Sequence, residues 1–401
     1  MVNDMEYRLG DLYEVSNGLS KSGECFGSGY PFLNYSTVFN NYFIPDEIVE
    51  LVQSTDKEQK NYSIKAGDVF ITRTSETTEE LGMSCVALKD YPNATFNGFC
   101  KRLRPITDKT YPLFMGYYFR TPQFRANFLK IASLITRASL RNEDLMKFKV
   151  DLPNIEIQKK IADGLYKYDD LRRNNNSRIE LLNEFAKEIY KERFVRRRNS
   201  EWRYVRLSEF GYSLESGSRP KGGIDSALQD GYPSLGAEAI GNIGRFDYSS
   251  TKLVPIEFFK KMKRGHGRDR DILLYKDGAY IGKVTLFMDQ FPFKDYSINE
   301  HAFFVRCDNP LYQFYLYFTL SLPQYFSQMQ NLNRNAAQPG LTRVDMDTIK
   351  LYMPNEDAIT EFNSSVEPIL HEIFALAKQN NILLKQRDLL LPRLMSGKLE
   401  V

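Results

Sequence analysis

Three short stretches carry residue types in the pattern that catalysis or cofactor binding would need. Gly278-Ala279-Tyr280-Ile281-Gly282-Lys283 has the glycines and lysine of a phosphate-binding loop, where backbone N–H groups and an ammonium cradle phosphate oxygens. It is one residue short, and Val284 stands where the magnesium-binding Ser or Thr belongs, so nucleotide binding is rejected. Asn309-Pro310-Leu311-Tyr312 approaches the Asn-Pro-Pro-Tyr signature of adenine methyl transfer, but the second proline is missing and no glycine-rich cofactor loop accompanies it. Pro45-Asp46 followed by Glu58-Gln59-Lys60 fits the carboxylate–carboxylate–lysine pattern of metal-dependent nucleases, which requires those groups to converge on Mg²⁺. Against it, Ser54 to Asn61 reads as a polar loop without strand periodicity.

The remaining chemistry-bearing residues are dispersed. His266, His301 and His371 have no serine or cysteine partner in triad order, and structural roles are expected for them. Cys25, Cys85, Cys100 and Cys307 stand far apart with no C-x-x-C pair, so buried free thiols are expected rather than disulfides or zinc. No catalytic residue and no metal site is assigned.

Groups suited to nucleic acid are better represented. Phosphate contacts use Lys, Arg, small hydroxyls and backbone N–H groups, whereas base readout uses Arg, Asn or Gln on exposed loops. The first half offers Arg73-Thr74-Ser75, which follows a strand-like run, and Arg137, Ser139 and Arg141. The second half offers Arg219 and Lys221 in a flexible Ser218-to-Gly223 loop, then Lys276, Lys283, Arg334, Asn335 and Gln338. Lys260 to Arg268 is the densest basic stretch in either half, as fit for a solvated loop as for phosphate. Arg193 and Arg196-Arg197-Arg198 read first as a helix C-terminus complementing its own dipole.

The elements that must hold these groups are written twice. Tyr7-Arg8-Leu9 is echoed by Val205-Arg206-Leu207, Gly29-Tyr30-Pro31 by Gly231-Tyr232-Pro233, and Gly67-Asp68-Val69-Phe70 by Arg270-Asp271-Ile272-Leu273, at offsets of 198, 202 and 203 residues. From Leu140 onward the offset settles at 201 residues, as in Leu152-Pro153 and Met353-Pro354. Each half opens with short Tyr-, Phe-, Val- and Ile-rich runs, Asp68–Thr74 and Asp271–Tyr275 among them. A helical stretch follows, Leu113–Ala132 or Leu311–Met329. The fold class is α+β: two mixed domains in a pseudo-twofold repeat.

Each half closes with heptads. Steps of four and three visit Ile161, Leu165, Tyr168, Arg172, Asn175, Ile179, Leu182, Ala186, Ile189 and Arg193, then Phe362, Val366, Ile369, Ile373, Leu376, Asn380, Leu383, Arg387, Leu390 and Leu394. Such spacing predicts two long helices paired as an antiparallel coiled coil, with the polar interruptions fixing register. Pro392 is expected to end or kink the second helix near Leu391. A 33-residue rod is about 50 Å long, enough to separate two readers by roughly the 34 Å between adjacent major grooves on one DNA face.

Composition is compatible with this and adds limits. Of 401 residues, 42% are apolar and 26% charged, the balance of a folded chain. The net charge of +3 is too small to point to nucleic acid by itself. Met1 to Gly10 lacks a signal-peptide core, and nowhere do about 18 apolar residues run together, so a cytoplasmic location without membrane contact is expected.

The order globular domain, long helix, globular domain, long helix resembles the specificity subunits of Type I restriction-modification systems. Carrying that resemblance are Leu152-Pro153 running into Gln158-Lys159-Lys160-Ile161-Ala162, Arg178-Ile179-Glu180-Leu181-Leu182, Arg193-Phe194-Val195, Ile272 to Lys283, Asn299-Glu300-His301 and Gln338-Pro339-Gly340-Leu341. Gly67 to Gly82 resembles a common variant of the first domain. The resemblance implies a non-catalytic protein with target-recognition domains at 1–152 and 199–354 and helical spacers at 153–198 and 355–401. It implies that the domains read the two unlike halves of a split target in double-stranded DNA. Two methyltransferase subunits would dock on the helices, and translocase-endonuclease subunits would join the full complex. S-adenosylmethionine, ATP and Mg²⁺ would belong to those partners and no cofactor to this chain. The competing expectation is a stand-alone metal-dependent nuclease with a related recognition domain.

Overall fold

The computed structural model describes residues 5–73, 80–132, 141–225, 227–332 and 340–399. The chain forms two compact units, one of residues 1–170 with 383–401 and one of residues 171–382.

In the first unit the apolar run Val69–Thr72 becomes a strand buried along its whole length. Its alternate side chains serve two cores: Val69 and Ile71 face one with Leu103 and Phe114, and Phe70 faces another with Cys85 and Phe96. The strand lies third in a four-stranded antiparallel sheet, ordered Tyr13–Asn17, Cys100–Pro105, Val69–Thr72, Ser84–Val86. A three-stranded sheet is ordered Leu51–Val52, Phe26–Leu33, Thr95–Phe96, and the pair Met5–Arg8 with Lys149–Leu152 closes the domain.

The second unit rebuilds all three sheets in the same order. Tyr212–Ser216, Ala302–Cys307, Asp271–Tyr275 and Val284–Phe287 form the four-stranded sheet. Lys252–Val254, Tyr232–Leu235 and Ser297–Ile298 form the three-stranded one, and Arg203–Arg206 pairs with Lys350–Met353. The α+β class and the repeat are therefore both present as expected.

Each expected mid-domain helical stretch is two helices, Pro112–Tyr118 with Pro122–Ala132 and Gln313–Leu320 with Pro323–Leu332. The breaks fall at Thr121-Pro122 and Leu322-Pro323, because a proline supplies no N–H and pushes the residue before it out of the helical region. The Thr121 hydroxyl caps the new helix by accepting from the Phe124 N–H at 3.2 Å.

The heptads form helices Ile155–Lys191 and Glu356–Met395. Within the first unit, Ile161 and Leu165 share a core with Leu390, Leu391 and Leu394. Within the second, Ile179, Leu182 and Ile189 share one with Phe362, Val366, Ile369, Ile373 and Leu376; Leu383, in the first unit, is buried as well. The helices run antiparallel in each: Asp169 meets Arg387 in the first unit, while Asn175 meets Asn380 and Arg193 meets Glu361 in the second.

Two local expectations are corrected. Pro392 does not end the second helix, which continues to Met395. So near the C-terminus the ring removes a single intrahelical bond, and Leu394 and Met395 beyond it pack on the first unit's core. Ser54 to Asn61 is not a loop throughout: Asp56–Asn61 is a helix, capped where the Thr55 hydroxyl accepts from the Glu58 N–H and the Glu58 carboxylate accepts from the Thr55 N–H.

The nuclease carboxylates belong to separate ion pairs, Asp46 with Lys89 and Glu58 with Lys21. Among the described residues no cluster of three His, Cys, Asp or Glu is placed to hold a metal, and no helix is long and apolar enough to cross a membrane. All four cysteines are free; Cys85, Cys100 and Cys307 are buried. The basic end of the first helix is paired locally: Arg196 with Glu188 and Glu192, Arg197 with Glu192, and Arg198 over the Tyr352 ring at 3.9 Å.

Candidate nucleic-acid interface

Each domain carries its candidate residues on a strand that starts at a buried carboxylate. In the first, Asp68 is fully buried and accepts from Arg104 Nε at 2.8 Å and Nη2 at 2.6 Å, and from the Lys65 N–H at 2.7 Å. In the second, Asp271 accepts from Arg306 Nε at 2.5 Å and Nη2 at 2.7 Å, and from the Arg268 N–H at 2.7 Å. A forked guanidinium plus a turn N–H leaves little of the buried charge uncompensated. The Asp68–Asp271 echo seen in the sequence is thus a duplicated anchor.

The strand leaving each anchor ends at a candidate cation, Arg73 or Lys276. The Arg73 N–H donates to the Phe99 carbonyl at 2.9 Å, and the Lys276 N–H donates to the His301 carbonyl at 3.1 Å. Both acceptors lie in an Asn-initiated turn. Asn97 Oδ1 accepts from the Phe99 N–H at 2.7 Å, and Asn299 Oδ1 from the His301 N–H at 2.9 Å.

Around this shared backbone the two tips differ in charge. In the first domain Lys101 Nζ donates to Asn17 Oδ1 at 3.0 Å and to Asn142 Oδ1. Burial first, and the charge of Arg73 second, hold the Lys101 ammonium below the ordinary lysine range. Arg141, exposed, is the N-cap of the helix that begins at Asn142. Lys101 is buried and occupied by Asn17 and Asn142, so Arg73, with Arg141 exposed one residue before Asn142, is the cation of this tip fit for phosphate.

In the second domain the cations are matched. Lys276 Nζ lies 2.9 Å from Asp277 Oδ2, and the same oxygen is 2.9 Å from His301 Nδ1. His301 Nε2 is 3.3 Å from Glu300 Oε1, which Arg219 Nε reaches at 2.9 Å. Arg219 and Lys276 are thus joined through one ion-paired network. Lys221 is exposed before Gly222 and Gly223, both at φ +91° with open space around them, a backbone that phosphate can approach closely.

Lys283 is placed elsewhere, over the Tyr280 ring at 4.1 Å and on the wall of a cavity of about 560 Å³ with Asn183, Lys187 and Phe326. Thr74, Ser75, Arg137, Ser139, Arg334, Asn335 and Gln338 lie outside the described residues. In the basic stretch, Lys260, Lys261, Lys263 and Arg264 are exposed. The helix carrying the first two is pinned by Phe259 stacking on Tyr232 at 3.9 Å.

Lys101, Phe99 and Asn97 escaped the sequence reading, and Asn299 entered it only within the family-like stretch Asn299-Glu300-His301. A signal was there: Asn97-Gly98-Phe99 stands 202 residues before Asn299-Glu300-His301, each directly ahead of a strand.

Residues 1–184 match the family model described as Type I restriction modification DNA specificity domain. The chain is 24% identical to the Type I restriction enzyme MjaIX specificity subunit of Methanocaldococcus jannaschii, over 98% of this chain and 93% of that protein. A second relative from the same organism is also 24% identical, over 99% and 94%. Among solved structures, the Type-I restriction-modification system S subunit from M. genitalium shares the fold, at a TM-score of 0.60 and 15% identity over 98% of this chain and 96% of its own. With residues 1–184 matched by the family model and the second half rebuilding the same sheets, anchor and turn, the chain is similar along its whole length to Type I restriction-modification specificity subunits.

Proposed function

We propose that this chain is the DNA-reading subunit of a Type I restriction-modification complex, with one half of a split double-stranded target assigned to each domain. The observation that carries this reading is the duplicated scaffold with unlike tips. The same anchor and Asn turn present Arg73 and Phe99 in one domain but Lys276, Asp277, Glu300 and His301 in the other. One backbone bearing two chemistries suits two unlike half-sites. Residues 1–152 and 199–354 are the readers; 153–198 and 355–401 are the spacer.

The helices dock two methyltransferase subunits, and translocase-endonuclease subunits complete the assembly. Exposed apolar side chains on the helices favour docking: Leu171, Leu181 and Phe185 on the first and Ile382 and Leu389 on the second are each at least half exposed. The chain performs no bond-making step. S-adenosylmethionine, ATP and Mg²⁺ serve the partners, and the complex works in the cytoplasm.

The test is co-expression with the neighbouring methyltransferase, followed by long-read sequencing of adenine methylation in the host genome. A two-part motif with a fixed gap is expected. A continuous motif, or none, overturns the reading.

A further inference from the structure

We infer that Phe99 in the first domain and His301 in the second occupy one equivalent base-contacting position, and that this position separates the specificities of the two half-sites. The inference rests on the DNA-reading function proposed above.

The argument starts from how firmly the backbone there is held. Asn97 donates its N–H to the Leu33 carbonyl at 3.0 Å, and Asn299 donates to the Leu235 carbonyl at 2.9 Å. The asparagine side chain then closes the turn on residue 99 or 301, whose carbonyl accepts from Arg73 or Lys276. Behind each turn a glycine allows close backbone approach. A Cβ on Gly18 would fall 2.1 Å from the Asn97 carbonyl oxygen, and one on Gly217 would fall 1.6 Å from that of Ile298. Three hydrogen bonds and one close approach thus recur in both domains, and the side chain they carry does not.

Phe99 is 59% exposed, a large ring left out of both cores of its domain and next to Arg73. With phosphate held by the neighbouring Arg73, such a ring meets base edges through apolar contact, for which the thymine methyl is the major-groove feature. His301 carries a polar ring at the same place. Its two nitrogens lie 2.9 Å from Asp277 and 3.3 Å from Glu300, so two carboxylates engage both ring nitrogens and fix its plane, and this acceptor-rich tip suits the amino donor of a cytosine or adenine rather than a methyl group. The residue before it changes in step. Gly98 lies against Ser20 in the first domain, whereas Glu300 pairs with Arg219 in the second.

The test uses the full chain assembled with its methyltransferase and a randomised target library read by methylation sequencing. Phe99→Ala is expected to lose roughly tenfold discrimination at one base position of one half-site. His301→Ala is expected to do the same in the other half-site only. If an alanine variant fails to assemble, Phe99→Leu or His301→Asn is read in its place. Unchanged preferences at every position, or a uniform loss across both half-sites, overturn the inference while the wild-type motif leaves the DNA-reading function standing. A wild-type complex with no two-part motif removes that function and this inference with it.

Discussion

Arg387 Nη1 donates to Asp169 Oδ1 at 2.7 Å, with the two side chains only 7% and 13% exposed. The guanidinium also engages Asp388 and lies over the Tyr42 ring at 4.8 Å, while the Tyr117 hydroxyl donates to Asp169 Oδ2 at 2.6 Å. A buried cation thus ties the end of the second long helix to the start of the first inside one compact unit.

Removing one member of a buried pair costs more than removing both. Arg387→Met should destabilise the first unit by about 3 kcal/mol, because Asp169 loses a buried cationic partner. Asp169→Asn in the same chain should recover part of that loss, since the carboxylate that Arg387 faced is gone. Denaturant unfolding of the two single variants and the double variant gives the coupling energy. Simple additivity would mean that the pair does not hold the helix end.

A second prediction concerns acid. The hydrogen bond from Lys21, and after it the Thr55 N–H, hold the Glu58 carboxyl at about 2, well below its ordinary value. A depressed carboxylate contributes stability that is present above the unfolded pKa and is lost as pH falls through the folded one. The Asp56–Asn61 helix should therefore stay capped down to pH 4.5 and loosen between about 4.5 and 2. Hydrogen exchange of its amides as a function of pH checks this. Glu58→Gln should flatten the profile across that window.

These two sites show what sequence pattern can and cannot reach. The seam positions Ile161, Leu165, Phe362 and Val366 were legible because a 3.5-residue period is local and needs no partner to be recognised. Arg387 appeared only as a polar interruption, since its partners Asp169 and Tyr42 lie far off in the chain. Helix Asp56–Asn61 is polar on all sides, so it has no apolar period, and only its Thr55 and Glu58 capping box announces it. Arg73 and Lys276 were legible as charges. Phe99 was not, and His301 was legible only as a structural histidine in a family-like stretch, because a turn fixed by backbone bonds to Leu33 and Leu235 leaves a trace only when the halves are aligned.

The proposed docking face gives a third prediction. Leu181 and Phe185 are four residues apart on the first helix, 66% and 58% exposed, hence neighbours on one helical face. Leu181→Ser with Phe185→Ser should abolish co-purification with the methyltransferase while leaving the thermal midpoint of the isolated chain within a few degrees, because exposed positions add little to folding. Retained co-purification would move the docking surface elsewhere.

The basic stretch separates phosphate contact from mere solvation. Lys260, Lys261, Lys263 and Arg264 are exposed, and none has an ion-pair partner among the described residues. Contact with phosphate releases counterions, so each neutralised contact should lower the slope of log affinity against log salt by about 0.9. Lys260→Gln with Lys261→Gln should therefore reduce the slope of the assembled complex by close to two without altering its methylation motif, since phosphate carries no sequence information. An unchanged slope would make the stretch a solvated loop. A reduced slope with a changed motif would mean that these lysines reach the bases themselves.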